Sequence, residues 1–212
     1  MKKNTILMYL ALTLAVLIPV PGRLAYGLLI IIGINLLMLT AVTANKLIDS
    51  INLNTLKTVL IIFLMVCISI IFRQIIILIS PVCALTMGIT IYFPIAAVFI
   101  IGNFFNHADI SLADSLKINM KDTLFFSVYA LLFFIVREIA GYGTISFPAH
   151  LGLAKILFPQ IMKITPNIFW ATIPGGIVLS GIFLGLVNLV KNKFLIISRS
   201  DELKDVGADN AD

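Results

Sequence analysis

The stretch LAYGLLIIIGINLLMLTAVTAN, from Leu24 to Asn45, contains no charged side chain. About 20 mostly apolar residues are enough for a helix to cross the hydrocarbon core of a bilayer. Hydrophobic residues make up 60% of the whole chain and charged residues 12%, whereas soluble domains average about 45–50% and about 25%. This composition excludes a soluble enzyme, a nucleic-acid-binding domain and a disordered chain. It predicts an integral membrane protein.

The distribution of uncharged segments predicts an all-α fold with six transmembrane helices. Residues 74–108 are uncharged but too long for one span, and Ser80-Pro81 offers a break because proline lacks a backbone N–H. We expect the six helices at about residues 4–22, 24–45, 57–79, 82–104, 122–140 and 167–190.

The first of these segments has an alternative interpretation. Lys2 and Lys3 precede an apolar run, as in a secretory signal peptide. No small-residue cleavage site follows, and Pro19, Pro21 and Gly22 lead directly into the next span. We therefore expect a retained helix.

The basic residues predict the orientation. An even number of spans places both termini on one side, together with loops two–three and four–five. That side carries ten basic residues: Lys2, Lys3, Lys46, Lys57, Lys117, Lys121, Lys191, Lys193, Arg199 and Lys204. The opposite side carries five: Arg23, Arg73, Arg137, Lys155 and Lys163. Because Lys and Arg are enriched in cytoplasmic loops, we expect a multi-pass membrane protein with both termini cytoplasmic.

The domain organisation follows from these spans. Residues 1–197 form the expected membrane domain, and residues 198–212, which offer few apolar side chains to bury, form an expected disordered cytoplasmic tail. Two sets of three helices, at about 1–80 and 81–190, would enter the membrane from opposite faces as an inverted repeat. The first helix of each set contains a breaker, Pro19 and Pro21 in one and Pro94 in the other, although prolines can also indicate simple kinks.

The longest connection, Tyr142 to Pro166, is not polar. Within it, Leu151 to Lys163 is apolar, with Lys155 and Lys163 spaced along it. This pattern predicts a segment that lies on the membrane surface.

Few polar groups interrupt the spans. Arg73-Gln74 is interpreted as an arginine that extends to the interface. Arg137-Glu138 falls in the last turn of helix five, where a cation complements the helix dipole and Gly141 and Gly143 can close the helix. Asparagines can bridge neighbouring helices, and small residues that open helix six allow close approach of backbones. These candidates are Asn35, Asn103, Asn188, Pro174, Gly175 and Gly176.

The sequence offers no catalytic constellation. No Asp or Glu falls in the middle of a span, which argues against an intramembrane carboxylate relay. His107 and His150 have no companion at metal-ligand spacing, and Cys67 and Cys83, inside apolar runs, match no zinc or cluster spacing. The residues alone therefore predict a membrane protein without catalytic groups of its own.

Residues 137–145, REIAGYGTI, resemble the R-E-I-x-G-x-G-T-L segment of the Rnf/Nqr membrane subunits, and more the RnfE/NqrD branch than the RnfA/NqrE branch. Residues 111–116, SLADSL, resemble the family's S-L-x-D-G-L start of helix five. Residues 173–184 resemble the P-P-G-A-F-I-x-L-G-L-L-L start of helix six, and Gly88 and Gly102 bracket helix four at the family's spacing. The resemblance covers about residues 80–190, and the first half only by topology.

This resemblance implies an inverted pair of three-helix repeats in a complex that pumps ions and transfers electrons. It also implies two facing subunits that hold an iron centre through cysteines at half-helix breaks. Here the sequence departs from the family, because the position of one cysteine falls on Val98 and helix one contains none. Valine offers no ligand, so no cofactor is expected in this chain and the iron centre is expected to be lost.

Two functions are therefore open. The first is a non-catalytic subunit of an Rnf/Nqr-like ion-translocating oxidoreductase complex, structural or lining the ion path, with other membrane subunits as partners. The second is the substrate-binding membrane component of a vitamin-type importer, since such proteins also have six helices. Ala11-x-x-x-Ala15 resembles the small-residue face by which they dock on their transporter.

Overall fold

The computed structural model describes residues 14–51, 54–102, 111–149, 152–157 and 167–189. The helices are α1 (Leu24–Ser50), α2 (Lys57–Ile79), α3 (Pro81–Met87), α4 (Phe93–Ile101), α5 (Leu112–Tyr142) and α6 (Ile173–Leu189). Short 3₁₀ turns occupy Asn54–Leu56, Gly88–Tyr92 and Ile168–Ala171. Two strands, β1 (Thr144–Ala149) and β2 (Gly152–Leu157), form an antiparallel hairpin.

Four segments of the described chain are long and apolar enough to cross a membrane: α1, α2, α5 and Pro81–Ile101. This indicates a membrane-embedded protein. Helix α6 is apolar but shorter, and of the expected first span only residues 14–22 are described, with 14–17 helical and turns from residue 18. The expectation of six spans in two inverted repeats remains a prediction, as does that of a disordered tail, which lies outside the described residues.

Helices α1 and α5 form an antiparallel pair in the centre of the protein. Leu24 N–H donates to Glu138, Gly27 packs on the ring of Phe134, and Asn35 Nδ2 donates to Ser127 Oγ at 2.8 Å. Along these contacts the residue numbers rise in α1 and fall in α5, so the two helices run antiparallel. Asn35 therefore bridges two helices as expected, whereas Asn188 is exposed and Asn103 lies outside the described residues.

Helix α2 has the bounds that the sequence predicts and returns alongside α1. Lys57 at its start forms a salt bridge with Asp49 of α1 at 2.6 Å. Near the middle, Gly33 of α1 leaves room for the ring of Phe72. Arg73 and Gln74 are exposed, consistent with an arginine that extends along the lipid-facing surface to the interface.

The span expected at about 82–104 is present as Pro81–Ile101, long and apolar enough to cross a membrane, but its helix is interrupted. Pro81 does begin a helix, but Gly88 adopts a left-handed backbone (φ 49°) and the chain continues as a 3₁₀ turn until α4 starts at Phe93. Glycine tolerates this conformation because it has no Cβ, so the break falls before Pro94, which sits in the first turn of α4.

The other helix boundaries also differ from prediction. Helix α5 begins ten residues before the expected Asp122, since Ser111 caps it by accepting the N–H of Asp114 at 3.2 Å. Helix α6 begins at Ile173 instead of 167, after the 3₁₀ turn at Ile168–Ala171. The first turns of α5 contain charged and polar residues, so the apolar pattern predicted a start that was too late. The residues before Ile173 are mainly apolar, so the same pattern predicted a start of α6 that was too early.

The connection after α5 contains a β-hairpin, and the expectation that Leu151 to Lys163 lies on the membrane surface remains a prediction, with 151 and 158–163 outside the described residues. Thr144 pairs with Leu157 and Ala149 with Gly152. Thr144 and Ser146 are buried against the helices, while most of β2 is exposed. The chain is thus mainly helical but not purely all-α. Pairing of the two strands satisfies backbone N–H and C=O groups that an unpaired apolar segment would leave without hydrogen bonds.

Candidate functional site

The best-defined polar site lies at one end of the α1–α5 pair. The last turns of α5, the start of α1, the turns at 18–23, the hairpin and the start of α6 meet there. Arg137 and Glu138 of α5 occupy its centre, with 1% and 0% of their surfaces exposed. Buried charges are costly unless they are hydrogen-bonded or paired, so their partners define the site.

Within the described part of the chain, the hydrogen bonds of Arg137 all go to backbone carbonyls. Its Nη1 donates to Val20 O at 2.9 Å, and its Nη2 donates to Ala171 O and Thr172 O, each at 3.1 Å. The guanidinium also lies 5.9 Å from the centre of the Phe133 ring. One side chain on α5 thereby joins the turns before α1 to the turn before α6.

Three glycines make room for this guanidinium or its neighbours. A Cβ on Gly176 would lie 3.2 Å from Arg137 Cζ, and a Cβ on Gly22 would lie 3.0 Å from Arg137 Nε. A Cβ on Gly141 would lie 2.8 Å from the Cβ of Ala171. Real Cβ atoms essentially never approach other atoms below 3.0 Å, so the site depends on glycine at Gly141 and at Gly22, whose Cβ would also lie 2.7 Å from Ala171 O, while the contact at Gly176 would be tight.

Glu138 accepts four hydrogen bonds. Its Oε2 accepts from Leu24 N–H at 2.7 Å, from Ser146 N–H at 3.1 Å and from Ser146 Oγ at 3.0 Å, while its Oε1 accepts from Thr144 Oγ1 at 3.1 Å. Leu24 is the first residue of α1, whose helix dipole favours a negative charge at that end. The set contains only donors, as an ionised carboxylate requires.

The two side chains together replace one helical hydrogen bond. In a continuous helix the N–H of Leu24 would donate to the carbonyl of Val20, four residues earlier. Here Glu138 accepts that N–H and Arg137 donates to that carbonyl. The chain before α1 can therefore remain broken at 18–23 without leaving either group unbonded.

Arg137 and Glu138 form no ion pair with each other. Within the described residues, Lys57–Asp49 is the salt bridge that meets a 4.0 Å limit. Arg23, which precedes α1, stacks 4.2 Å from the centre of the Tyr142 ring. The site is consequently held by hydrogen bonds from the two charged side chains to backbone groups and to the hydroxyls of Thr144 and Ser146, an arrangement suited to joining segments rather than to chemistry on a substrate.

The structure brings together most of the residues that the sequence singled out. Arg137, Glu138, Gly141, Gly175 and Gly176 meet at this site. Gly143 ends α5 in a left-handed conformation (φ 63°), with its N–H donating to Ile139 O, as predicted. The expectation that Arg137 serves the dipole of its own helix is wrong, since its partners all belong to other segments.

Three predicted positions lie elsewhere. Pro174 is exposed in the first turn of α6, and Gly88 and Gly102 lie at the break before α4 and at its C-terminal end. Val98 is fully buried inside α4, six residues beyond the break at Gly88–Tyr92 rather than in it.

Sequence reasoning missed Gly22, Thr144 and Ser146. Gly22 carried a signal, since it follows Pro19 and Pro21 between two apolar spans. The two hydroxyl residues had none, because only the hairpin turns them toward Glu138.

Among the described residues, no group of three or more His, Cys, Asp and Glu side chains is arranged to hold a metal ion. Cys83 is buried and its Sγ lies 3.6 Å from Gly152 O, and Cys67 is partly exposed on α2. No family model and no curated protein matches this chain.

Proposed function

We propose that the chain is a non-catalytic, membrane-embedded subunit of an Rnf/Nqr-type ion-translocating electron-transport complex in a bacterial plasma membrane. The observation that carries this proposal is the pair of breaks in apolar segments, at 18–23 and at Gly88–Tyr92. The first lies at the end of the first expected helix, directly before Leu24, and the second lies within the first helix of the second expected three-helix set. Paired discontinuous helices are typical of membrane transporters that are built from inverted repeats.

The residues that resemble the family have a shared structural task, which supports the proposal further. Arg137 and Glu138 of the REIAGYGTI segment hold the first break in place, and Gly141 of the same segment admits Ala171. Gly176, from the segment resembling the start of helix six, faces Arg137. The short, separate segments that resemble the family thus meet at one site, around Arg137.

The role of the subunit in this proposal is structural or ion-path-lining. Val98 stands where the resemblance implies a cysteine, so electron transfer belongs to partner subunits. Helix α5 carries a row of buried polar side chains, four residues apart, which we call the polar row: Ser115, Asn119, Thr123 and Ser127, the last of which binds Asn35 of α1. Neutral oxygen groups of this kind suit an ion path better than a redox site.

A second candidate is the membrane component of a small-molecule importer. Ala15 is exposed, as a docking face for a transporter partner requires, while Ala11 lies outside the described residues. This single small residue is weaker support than the paired breaks, because small residues are common at interfaces between membrane helices.

Extraction in a mild detergent from the native membrane separates these proposals. With an affinity tag on the chain, we expect a complex much heavier than the 23.3 kDa subunit, containing flavin- or iron–sulfur-bearing subunits identified by mass spectrometry. The same preparation in a harsh detergent is the dissociated control. Copurification of an ATPase pair, or a stable monomer that binds a vitamin, would refute the proposal and favour the importer.

A further inference from the structure

The backbone carbonyls around Arg137 resemble a cation site. Val20 O, Ala171 O and Thr172 O converge on one guanidinium at 2.9–3.1 Å. The first belongs to the turns at 18–23 and the other two to the end of the 3₁₀ turn before α6. Carbonyls in unwound segments of this kind are the groups that coordinate monovalent cations in membrane transporters. We call these three oxygens the carbonyl cluster.

The positive charge at this cluster is balanced by dipoles rather than by an anion. No carboxylate oxygen of the described residues lies within 4.0 Å of the guanidinium nitrogens. Glu138, next in sequence, directs its oxygens to Leu24, Thr144 and Ser146 instead. Because a cation buried without a counter-ion is costly, the three carbonyls of the cluster supply the hydrogen bonds that offset this cost.

The shape of the site fits a planar cation. Gly22 and Gly176 pack closely against the guanidinium, since a hypothetical Cβ would lie 3.0 Å from Nε on Gly22 and 3.2 Å from Cζ on Gly176. The Nε is buried and has no partner in the described part of the chain. The carbonyl cluster therefore accepts hydrogen bonds from the two terminal nitrogens, Nη1 and Nη2, and not from Nε, which links the guanidinium to the rest of the side chain. This is the pattern expected of a site that binds a free guanidinium-type ion.

We propose that the carbonyl cluster is a binding site for a guanidinium-type monovalent cation and that the side chain of Arg137 is its permanent, tethered occupant. A mobile cation is excluded from the site by the volume and the charge of this side chain. The proposal rests on local geometry and holds whether or not the chain belongs to an electron-transport complex.

Exclusion of mobile cations from the carbonyl cluster matters because of where the cluster lies relative to the polar row. The polar row ends at Ser127, and the apolar side chains of Ala130, Phe133 and Phe134 follow it before Arg137 on the same helix. An ion that followed the polar row would meet first this apolar layer and then a fixed positive charge. In membrane channels, an arginine placed in this way is a barrier to cations.

Chemical rescue tests the proposal. Arg137→Ala removes the tethered cation and leaves the carbonyl cluster. We expect the full-length variant in detergent to unfold several degrees below the parent protein, and millimolar guanidinium chloride to raise its Tm by several degrees relative to NaCl at equal ionic strength. The parent protein should gain nothing. Arg73→Ala, which removes an exposed arginine of α2, is the matched control and should not respond to guanidinium.

A second variant keeps the test decisive if Arg137→Ala does not fold unaided. Arg137→Lys retains a tethered cation, so its Tm should lie between those of the parent and the alanine variant and show no gain with guanidinium. Extraction of Arg137→Ala with guanidinium present should then restore monodisperse protein. Failure of guanidinium to help in both the melting and the extraction experiment, or an equal gain in Arg73→Ala, would overturn the proposal.

Discussion

The N–H of Leu24, at the start of α1, donates at 2.7 Å to the carboxylate of Glu138, which lies 114 residues away on α5. A helix leaves its first N–H groups without partners inside the helix, and in a membrane water cannot replace them. Arg23, at the cap position, provides no side-chain hydrogen bond to this helix. The helix start is therefore stabilised from a distant part of the chain.

The first prediction concerns this cap. Glu138→Gln preserves the shape of the side chain but removes its negative charge. With its NH₂ toward the hydroxyl of Thr144, which can also accept, the amide oxygen can still accept from Leu24 and Ser146. Hydrogen bonds to charged groups contribute about 1.5–3 kcal/mol and neutral ones about 0.5–1.5 kcal/mol, so we expect a loss of stability of about 1–2 kcal/mol by thermal unfolding in detergent. Asp122→Asn, at an exposed position of the same helix, should change little. Equal effects of the two variants would contradict the assigned cap.

The second prediction concerns the close approach of α5 to the turn before α6. Gly141→Ala places a Cβ 2.8 Å from Ala171 Cβ and 3.0 Å from Ala171 N, and overpacking of this kind typically costs about 1–3 kcal/mol. Gly181→Ala on α6 is the control, because no atom lies within 4 Å of its added Cβ. It should stabilise the helix by up to about 1 kcal/mol. Opposite signs of the two changes in unfolding temperature are the expected result.

The third prediction concerns orientation. If both termini are cytoplasmic, a reporter fused after Asp212 should be active only as a cytoplasmic fusion. Single cysteines introduced into a background lacking Cys67 and Cys83 should agree: Lys117→Cys, near the start of α5, should be labelled by an impermeant maleimide only after cell lysis. Lys155→Cys in the exposed strand β2 should react in intact spheroplasts. The reverse labelling pattern would refute the orientation.

The fourth prediction concerns iron. Cysteine is the usual ligand of iron–sulfur centres, and Val98 occupies the position at which the resemblance implies one. Purified protein should contain no stoichiometric iron and give no paramagnetic signal of a cluster. Cys67→Ser and Cys83→Ser should cost packing stability at most, more at Cys83 because it is fully buried. One iron centre per chain or per pair, lost in these variants, would show instead that the chain carries electrons.

The local signals in the sequence predicted several elements well. The uncharged run that begins at Leu24 and the proline after Ser80 were sufficient to place the start of α1 and the end of α2, because length, apolar composition and proline act within one segment. Gly143 likewise predicted the end of α5, because a glycine can adopt the left-handed conformation that ends a helix without a partner elsewhere in the chain.

The tertiary structure decided what depends on contacts between segments. Hydropathy alone could not separate the break at Gly88–Tyr92 from a continuous helix, or the hairpin from a surface segment, because both stretches are mainly apolar. The partners of Arg137 and Glu138 lie between 6 and 117 residues away in sequence. A sequence indicates that these two charges are present near the end of a helix, but only the folded chain determines that they bind the two groups of a helical hydrogen bond left open between Val20 and Leu24.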